Sequence, residues 1–253
     1  MPRVLLPLLA ALAVVALGCQ ESGFNERKET EKPLKVQHAL GESKVPGQAT
    51  EPLTLTVDAL DDTLALKVRP ARAAVPDGQL PAYLSDAGRG VSLMRPVTAS
   101  DLAAVEAVHP DLILGSADAQ GKLYEDLSRI APTVMTDGGG GQWKLNLRLL
   151  GEALGRTNDA EQLLTAYDRE AAAARRAIQG RPTVAVARKT ADGLRYAPRD
   201  SFAGTILADA GVKQVRGPGA DVTLREDEPL WWGSGGALAA RAALDELRAA
   251  LAG

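Results

Sequence analysis

The chemistry available to this sequence rests on nine planar or cationic side chains: Arg95, Tyr124, Trp143, Arg188, Arg195, Tyr196, Arg199, Trp231 and Trp232. They stand on or beside loops expected to follow strands. In open α/β sheets ligands bind at the carboxyl ends of the strands. A guanidinium matches anionic oxygens in a planar, two-pronged geometry. An aromatic face accepts the flat or apolar body of a ligand. Aromatics are only 4% of the chain, so each one is informative. This is chemistry of binding rather than of bond cleavage.

Other chemistries are poorly supplied. There are two histidines, His38 and His109, and one cysteine, Cys19. His109 precedes Pro110 at the end of a helical pattern, where an imidazole suits the helix carbonyls better than a metal. A site made of carboxylates alone stays open. No G-x-S-x-G nucleophile elbow occurs. "DLILGSADAQGKL" looks like a phosphate loop but fails as one. Five residues separate Gly115 from Gly121, where the motif needs four, and Leu123 stands where Ser or Thr would hold magnesium. No nucleophile and base stand together, so no catalytic residue, metal or cofactor is expected. The isoelectric point near 5.6 and net charge of −3 do not fit a nucleic-acid partner.

The elements that would position these groups follow from periodicity. The 253 residues, 45% of them hydrophobic, suffice for one large domain or two lobes. "LTLTV" reads as a strand and "DALDDTLALKV" as a helix with Asp58 as candidate N-cap. "SDLAAVEAVHP" is helical, capped by Ser100 or Asp101. "DLILG" reads as a buried strand, "GKLYEDLSRIA" as an amphipathic helix and "PTVMT" as a strand. This alternation argues for βαβ units and a parallel sheet. "GGGG" interrupts it, and "QWKLNLRLLGEALGR" restarts a helix. "NDAEQLLTAYDREAAAARRAIQG", 158–180, is a rod roughly 30 Å long, with Asn158 or Asp159 as cap. A second α/β segment follows: "TVAVARK", "LRYAP", "FAGTILADAG" and the closing helix "ALAARAALDELRAALAG".

The amino terminus sets the expected compartment. Arg3 is followed by an uncharged run to Gly18, which reads as a secretory signal, 1–18. Cys19 after "ALG" resembles the bacterial lipoprotein box, with Ala16 and Leu17 in the reverse of the common order. Lipidation of Cys19 would anchor the chain to the outer face of the cytoplasmic membrane. Residues 19–35, charged and poor in large apolar groups, read as a disordered tether.

From about Val36 onward the chain resembles the substrate-binding proteins of iron-siderophore ABC importers. "VQHALGESKVPGQA" is similar to their opening and "HPDLILGSADAQGKLYEDLSRIAPTVMTD" to their helix–strand–helix–strand segment. "WKLNLRLLGEALGRTNDAEQLL" resembles the start of the interlobe helix. "LRYAPRDSFAGTILADAG" and "WWGSGGALAARAALDELRAAL" resemble a pocket segment and the carboxyl terminus. The resemblance implies an α/β fold of two Rossmann-like lobes, 36–157 and 181–253, joined by one long helix, 158–180. It implies small lobe motion and a ligand clamped between the lobes. The ligand would be a ferric siderophore, the partners ABC permease subunits, and the receptor a monomer. By position the resemblance places Arg95, Trp143, Arg188, Arg195, Tyr196, Ser201, Trp231 and Trp232 at the cleft.

Two departures stand out. The family carries a permease-docking glutamate seven residues before the proline of its "PDLIL" pattern, and Ala103 occupies that place, leaving Glu106 one turn later as substitute. The carboxyl-terminal lobe also lacks a strand–helix–strand stretch before "EPLWWGSGG", so it is expected to be shortened and incomplete. Glu226 and Asp227 there are either a second docking point or part of a strand. Of the paired tryptophans, taken as extended, one should face the ligand and one the core, with Trp231 preferred for the ligand. Two other readings stay open. One is the same fold holding haem or a corrinoid, with Tyr124 and Tyr196 as candidate axial ligands. The other is a repurposed surface lipoprotein that no longer transports.

Overall fold

Alternating apolar runs and amphipathic segments become two α/β halves in the computed structural model, which describes residues 32–178, 180, 182–225, 229–233 and 235–251. The signal segment 1–18, Cys19, most of the tether, Glu226 and Asp227 lie outside the described residues.

The chain opens with an antiparallel hairpin, β1 (Leu34–His38) and β2 (Gly41–Val45). It then builds the first half: β3 (Pro52–Thr54), α1 (Val57–Ala65), β4 (Arg72–Ala74), β5 (Leu93–Met94), α2 (Leu102–Glu106), β6 (Leu112–Ser116), α3 (Ala117–Gln120), α4 (Tyr124–Ile130) and β7 (Thr133–Thr136). Strands β3 to β7 form one parallel sheet in the order β5-β4-β3-β6-β7. All five residues of β6 are buried. A parallel strand covered on both faces has no solvent side, which is why "LILGS" reads as a continuous run. The hairpin is fastened to this sheet by the Ser43 hydroxyl, which donates to the Thr133 carbonyl at 2.7 Å.

One cap differs from that expected, and at the other Asp101 is joined by a threonine. Thr56, not Asp58, caps α1, accepting from the Ala59 amide at 3.4 Å. Before α2, Thr98 and Asp101 form a reciprocal capping box. In both cases the threonine just upstream has the extended backbone a cap needs, while the aspartate is drawn into the first turn.

Helix α5 (Trp143–Ala153) leads into the long α6 (Thr157–Ala177), 21 residues with no side-chain cap from Asn158 or Asp159. The buried residues of α6 are Ala160, Leu164, Tyr167, Ala171 and Ala174. This alternating spacing of four and three keeps one seam facing its neighbours. The second half follows with β8 (Thr183–Thr190), β9 (Gly193–Tyr196), α7 (Phe202–Asp209), β10 (Lys213–Gln214), β11 (Val222–Arg225), α8 (Pro229–Trp232) and α9 (Ala237–Leu251). Strand β8 pairs in parallel with β10 and β11 and antiparallel with β9.

The halves share one core. Trp143 of α5 is fully buried, with its ring edge-on to Tyr167 of α6 at 4.7 Å and to Phe202 of α7 at 6.4 Å. Lys144 bridges the same junction, reaching Asp168 at 3.0 Å and Asp209 at 3.1 Å. The Tyr167 hydroxyl also donates to Asp209 at 3.0 Å.

A second junction is polar and buried. Asp61 of α1 accepts from the amides of Leu238 at 2.7 Å and Ala239 at 2.9 Å, and Asp62 accepts from Ala237 at 2.9 Å. The carboxylates of the first half thus satisfy the free amides that begin α9 and meet its positive dipole end. Both side chains are essentially inaccessible to water. Burial is the main cause that pushes the Asp61 carboxyl up to about 7 and holds Asp62 well above its ordinary value.

These shifts fix a sign. A carboxyl with its folded value raised above the unfolded 3.8 takes up protons on folding, so its contribution is complete below that value and is lost as pH rises through about 7. Melting temperature is therefore expected to fall between pH 5 and pH 8, by about 2–4 °C per kcal/mol lost in a domain of this size. His38, lowered by burial, acts in the opposite direction over part of this range. Comparison with an Asp61→Asn, Asp62→Asn variant isolates the aspartates. The variant should show a flatter profile, and a melting temperature that climbs equally from pH 5 to pH 8 in both proteins would contradict the assignment.

Candidate functional site

The strand ends of the first sheet open on a hollow of about 770 Å³. Leu55 and Thr56 follow β3, Ala74 and Pro76 border the end of β4, Ser116 ends β6, and Gly138 and Gly139 follow β7. Ligands of open parallel sheets sit at this edge. Asp58, Asp77, Tyr83 and Asp118 add polar groups to the wall. Asp58 is only 6% exposed, and burial, opposed by hydrogen bonds from Thr56 and the backbone, holds its carboxyl above the usual range.

A second hollow of about 360 Å³ adjoins it and shares Asp118, Gly139 and Gly233. Its far wall belongs to the second half: Arg188 of β8, Arg195 of β9, the loop from Ala197 to Ser201, and Trp231 and Trp232 of α8. Together the hollows form a cleft between the two halves, of a size that suits a small-molecule ligand.

Arg188 and Arg195 are register partners on antiparallel strands. Directly opposed residues project on the same face, and like charges in that relation repel. The Arg188 guanidinium lies over the Trp232 ring, 4.7 Å from its centre, a cation–π contact that orients it. Arg188 Nε and Trp232 Nε1 are buried donors without a partner among the described residues. Neither arginine forms an ion pair among those residues. This wall holds two repelling cations and two unused donors, the arrangement an anionic, flat-faced ligand would complete.

The anticipated residues divide. Arg188, Arg195, Ser201, Trp231 and Trp232 border the cleft. Ser201 also caps α7, donating to the Pro198 carbonyl at 2.6 Å and accepting from the Gly204 amide at 3.3 Å. Trp143 does not face the cleft, because its ring fills the core between Tyr167 and Phe202. Arg95 is exposed outside the lining, although its neighbour Pro96 lies within it. Tyr196 pairs with Ala187 in the sheet and is likewise outside the lining. Glu106 is exposed at the end of α2. Tyr124 packs edge-on against His38, 5.4 Å between ring centres, away from the cleft. The two tyrosines considered as axial ligands for a haem therefore do not line it. Among the described residues no group of three or more His, Cys, Asp or Glu could hold a metal ion.

Both tryptophans border the smaller hollow, and it is Trp232 that meets the cleft arginine. The segment is a helical turn, not an extended one. Trp231 is 1% exposed, with Nε1 donating to Glu246 of α9 at 3.0 Å, and Trp232 is the half-buried partner of Arg188. The glycine turn after them has its own cause. Gly235 has φ of +63° and lies against the Phe202 ring. A Cβ on Gly236 would stand 2.6 Å from Asp61 Cγ. Side chains there would dislodge the cap of α9.

Two α/β halves face each other across a cleft, with a long helix between them in sequence. The sequence profile of the periplasmic binding protein family matches residues 91–223, more than half of the chain, and the chain belongs to that family. It is 30% identical over 212 residues to the probable siderophore-binding lipoprotein YfiY of Bacillus subtilis, covering 82% of this chain and 65% of that protein. It is 30% identical over 167 residues to the achromobactin-binding periplasmic protein of Dickeya dadantii, covering 63% and 54%. The chain thus spans less than two thirds of the length of these curated relatives. The fold matches SirA of Staphylococcus aureus, solved in complex with staphyloferrin B, with a TM-score of 0.75 at 23% identity, covering 86% of this chain and 98% of that one.

The two tryptophans should separate by experiment. Trp231→Phe leaves Glu246 without its donor in a packed setting and is expected to lower unfolding free energy by about 1–3 kcal/mol in urea titrations. Trp232→Phe should cost less, on the order of 0.5–1 kcal/mol for the weakened cation–π contact. The reverse order of destabilisation would contradict the assigned roles.

Proposed function

We propose that this chain captures a ferric siderophore in the cleft between its halves and delivers it to the permease of an ABC importer. The observation that carries the reading is the pair of register-opposed arginines, Arg188 and Arg195, standing beside Trp232 with unused donors at the cleft wall. An anionic ferric chelate supplies the charge that this wall lacks, and its flat ligand groups suit the indole. Family membership and the siderophore named for YfiY support the same reading. The chain acts as a monomeric binder with no catalytic step. Its second half, a four-stranded sheet, is a shortened version of the family's carboxyl-terminal lobe, a reading supported by the length difference from the relatives.

Delivery requires the chain to sit at the outer face of the cytoplasmic membrane. Lipidation of Cys19 provides the anchor, and the charged stretch to residue 35 provides the reach. Glu106, exposed on α2, is the docking carboxylate of the first half. Glu226 and Asp227 are the corresponding candidates of the second.

Titration of the purified protein with ferric catecholates, hydroxamates and citrate-type chelates should quench tryptophan fluorescence, with dissociation constants below about 1 µM. Arg188→Ala combined with Arg195→Ala should weaken that binding by more than about tenfold, as expected when charge-assisted hydrogen bonds are removed. A folded protein whose emission responds to no member of the panel would refute the reading. Separately, Cys19→Ala should release the protein from the membrane fraction of expressing cells, and continued attachment of that variant would rule out the lipid anchor.

A further inference from the structure

The two walls of the cleft carry opposite charge. On the side of the second sheet stand Arg188 and Arg195. On the side of the first sheet stand Asp58, Asp77 and Asp118, and among the described residues no lysine or arginine lines that hollow. Among the described residues, none of these five groups has an ion-pair partner, either across the cleft or elsewhere. A receptor wall tuned only to anions would be poorly served by three carboxylates on the facing side.

Asp58 is the informative member. Its neighbours Asp61 and Asp62 are occupied by the amides of α9, while Asp58 accepts only from Thr56 and its own stretch of backbone and meets no cation among the described residues. It is 6% exposed and yet borders the hollow. A carboxylate buried to that extent without a cation is costly. Asp118 belongs to both hollows, so a ligand seated against the arginines lies next to it.

We infer that the ligand has two ends of opposite charge: an anionic iron chelate held by Arg188, Arg195 and Trp232, and a protonated amine held by Asp58 and Asp118. This inference rests on the siderophore-capture reading and narrows it to chelates that carry an amine. The amine arm lies in the larger hollow, where the ammonium donates to the two carboxylates. The chelate occupies the smaller hollow, on the indole face. The charge pattern sets the orientation in which the ligand enters.

The test uses matched pairs of ferric chelates of catecholate, hydroxamate and citrate type. One member of each pair carries a free primary amine arm and the other the same arm N-acetylated. Binding to the full chain is read by tryptophan quenching at pH 7. For at least one pair, the amine form should bind about tenfold more tightly, the weight of one hydrogen bond to a charged group. That ratio should fall to near one in Asp58→Asn and in Asp118→Asn, each shown folded by circular dichroism. Asp118→Asn, at an exposed position, keeps the test meaningful if Asp58→Asn fails to fold. Equal binding of amine and acetylated forms by the native protein would overturn the inference and leave siderophore capture standing. A preference that persists in the folded Asp variants would also overturn it. If no member of any pair binds, the capture reading falls and the inference falls with it.

Discussion

Two buried carboxylates hold the first residues of the last helix, and much of the cleft depends on that contact. Asp61 and Asp62 of α1 accept the three amides that open α9. Free amides at a buried helix start are expensive to leave unsatisfied, and so are buried carboxylates, so the two groups need each other. Once α9 is seated, Glu246 is in place to receive the Trp231 indole. With Trp231 fixed, the next residue is turned outward, and Trp232 lies under Arg188. The orientation of a cleft arginine thus traces back to a cap made by the opposite half of the molecule.

The same contact explains why the long helix is not the sole connection. The core is continuous from Trp143 through Tyr167 to Phe202, and α9 packs on both α1 and α6. Lys144 adds a charged clasp at this seam, between Asp168 and Asp209. Separating the halves would strip the Trp143 ring of Phe202, leave the first amides of α9 without Asp61 and Asp62, and break the Lys144–Asp209 pair. Opening by wide rotation is therefore disfavoured.

Much of this architecture is legible in the sequence because local signals agree with the fold. "DLILG" reads as a buried strand since both faces of β6 are covered, and the seam of α6 shows in the spacing of its apolar residues. Side-chain direction is less legible. Trp143 and Trp232 look equivalent as loop-proximal aromatics, and only packing against Tyr167 and Phe202 makes the first a core residue. Trp232 rather than Trp231 meets the cleft arginine because α8 is one helical turn. The acidic wall is hidden in the sequence for a related reason. Asp58 has the appearance of a helix cap, and Thr56 takes that role instead. Asp118 follows directly on β6, where the strand-end rule for open sheets would have marked it.

Strand β8 is bonded to every other strand of the second sheet: β10 and β9 along one edge and β11 on the other. Its partners have few hydrogen-bonded contacts among themselves, so the sheet resembles a hub with three spokes rather than a ladder. Such a sheet has no partly assembled form that is worth much. Until β8 is laid down, β9, β10 and β11 have no template, and their loop-closure entropy goes unrewarded. Order in the second sheet therefore depends on β8 as a whole: a change that displaces this one strand removes the pairing of all three others at once.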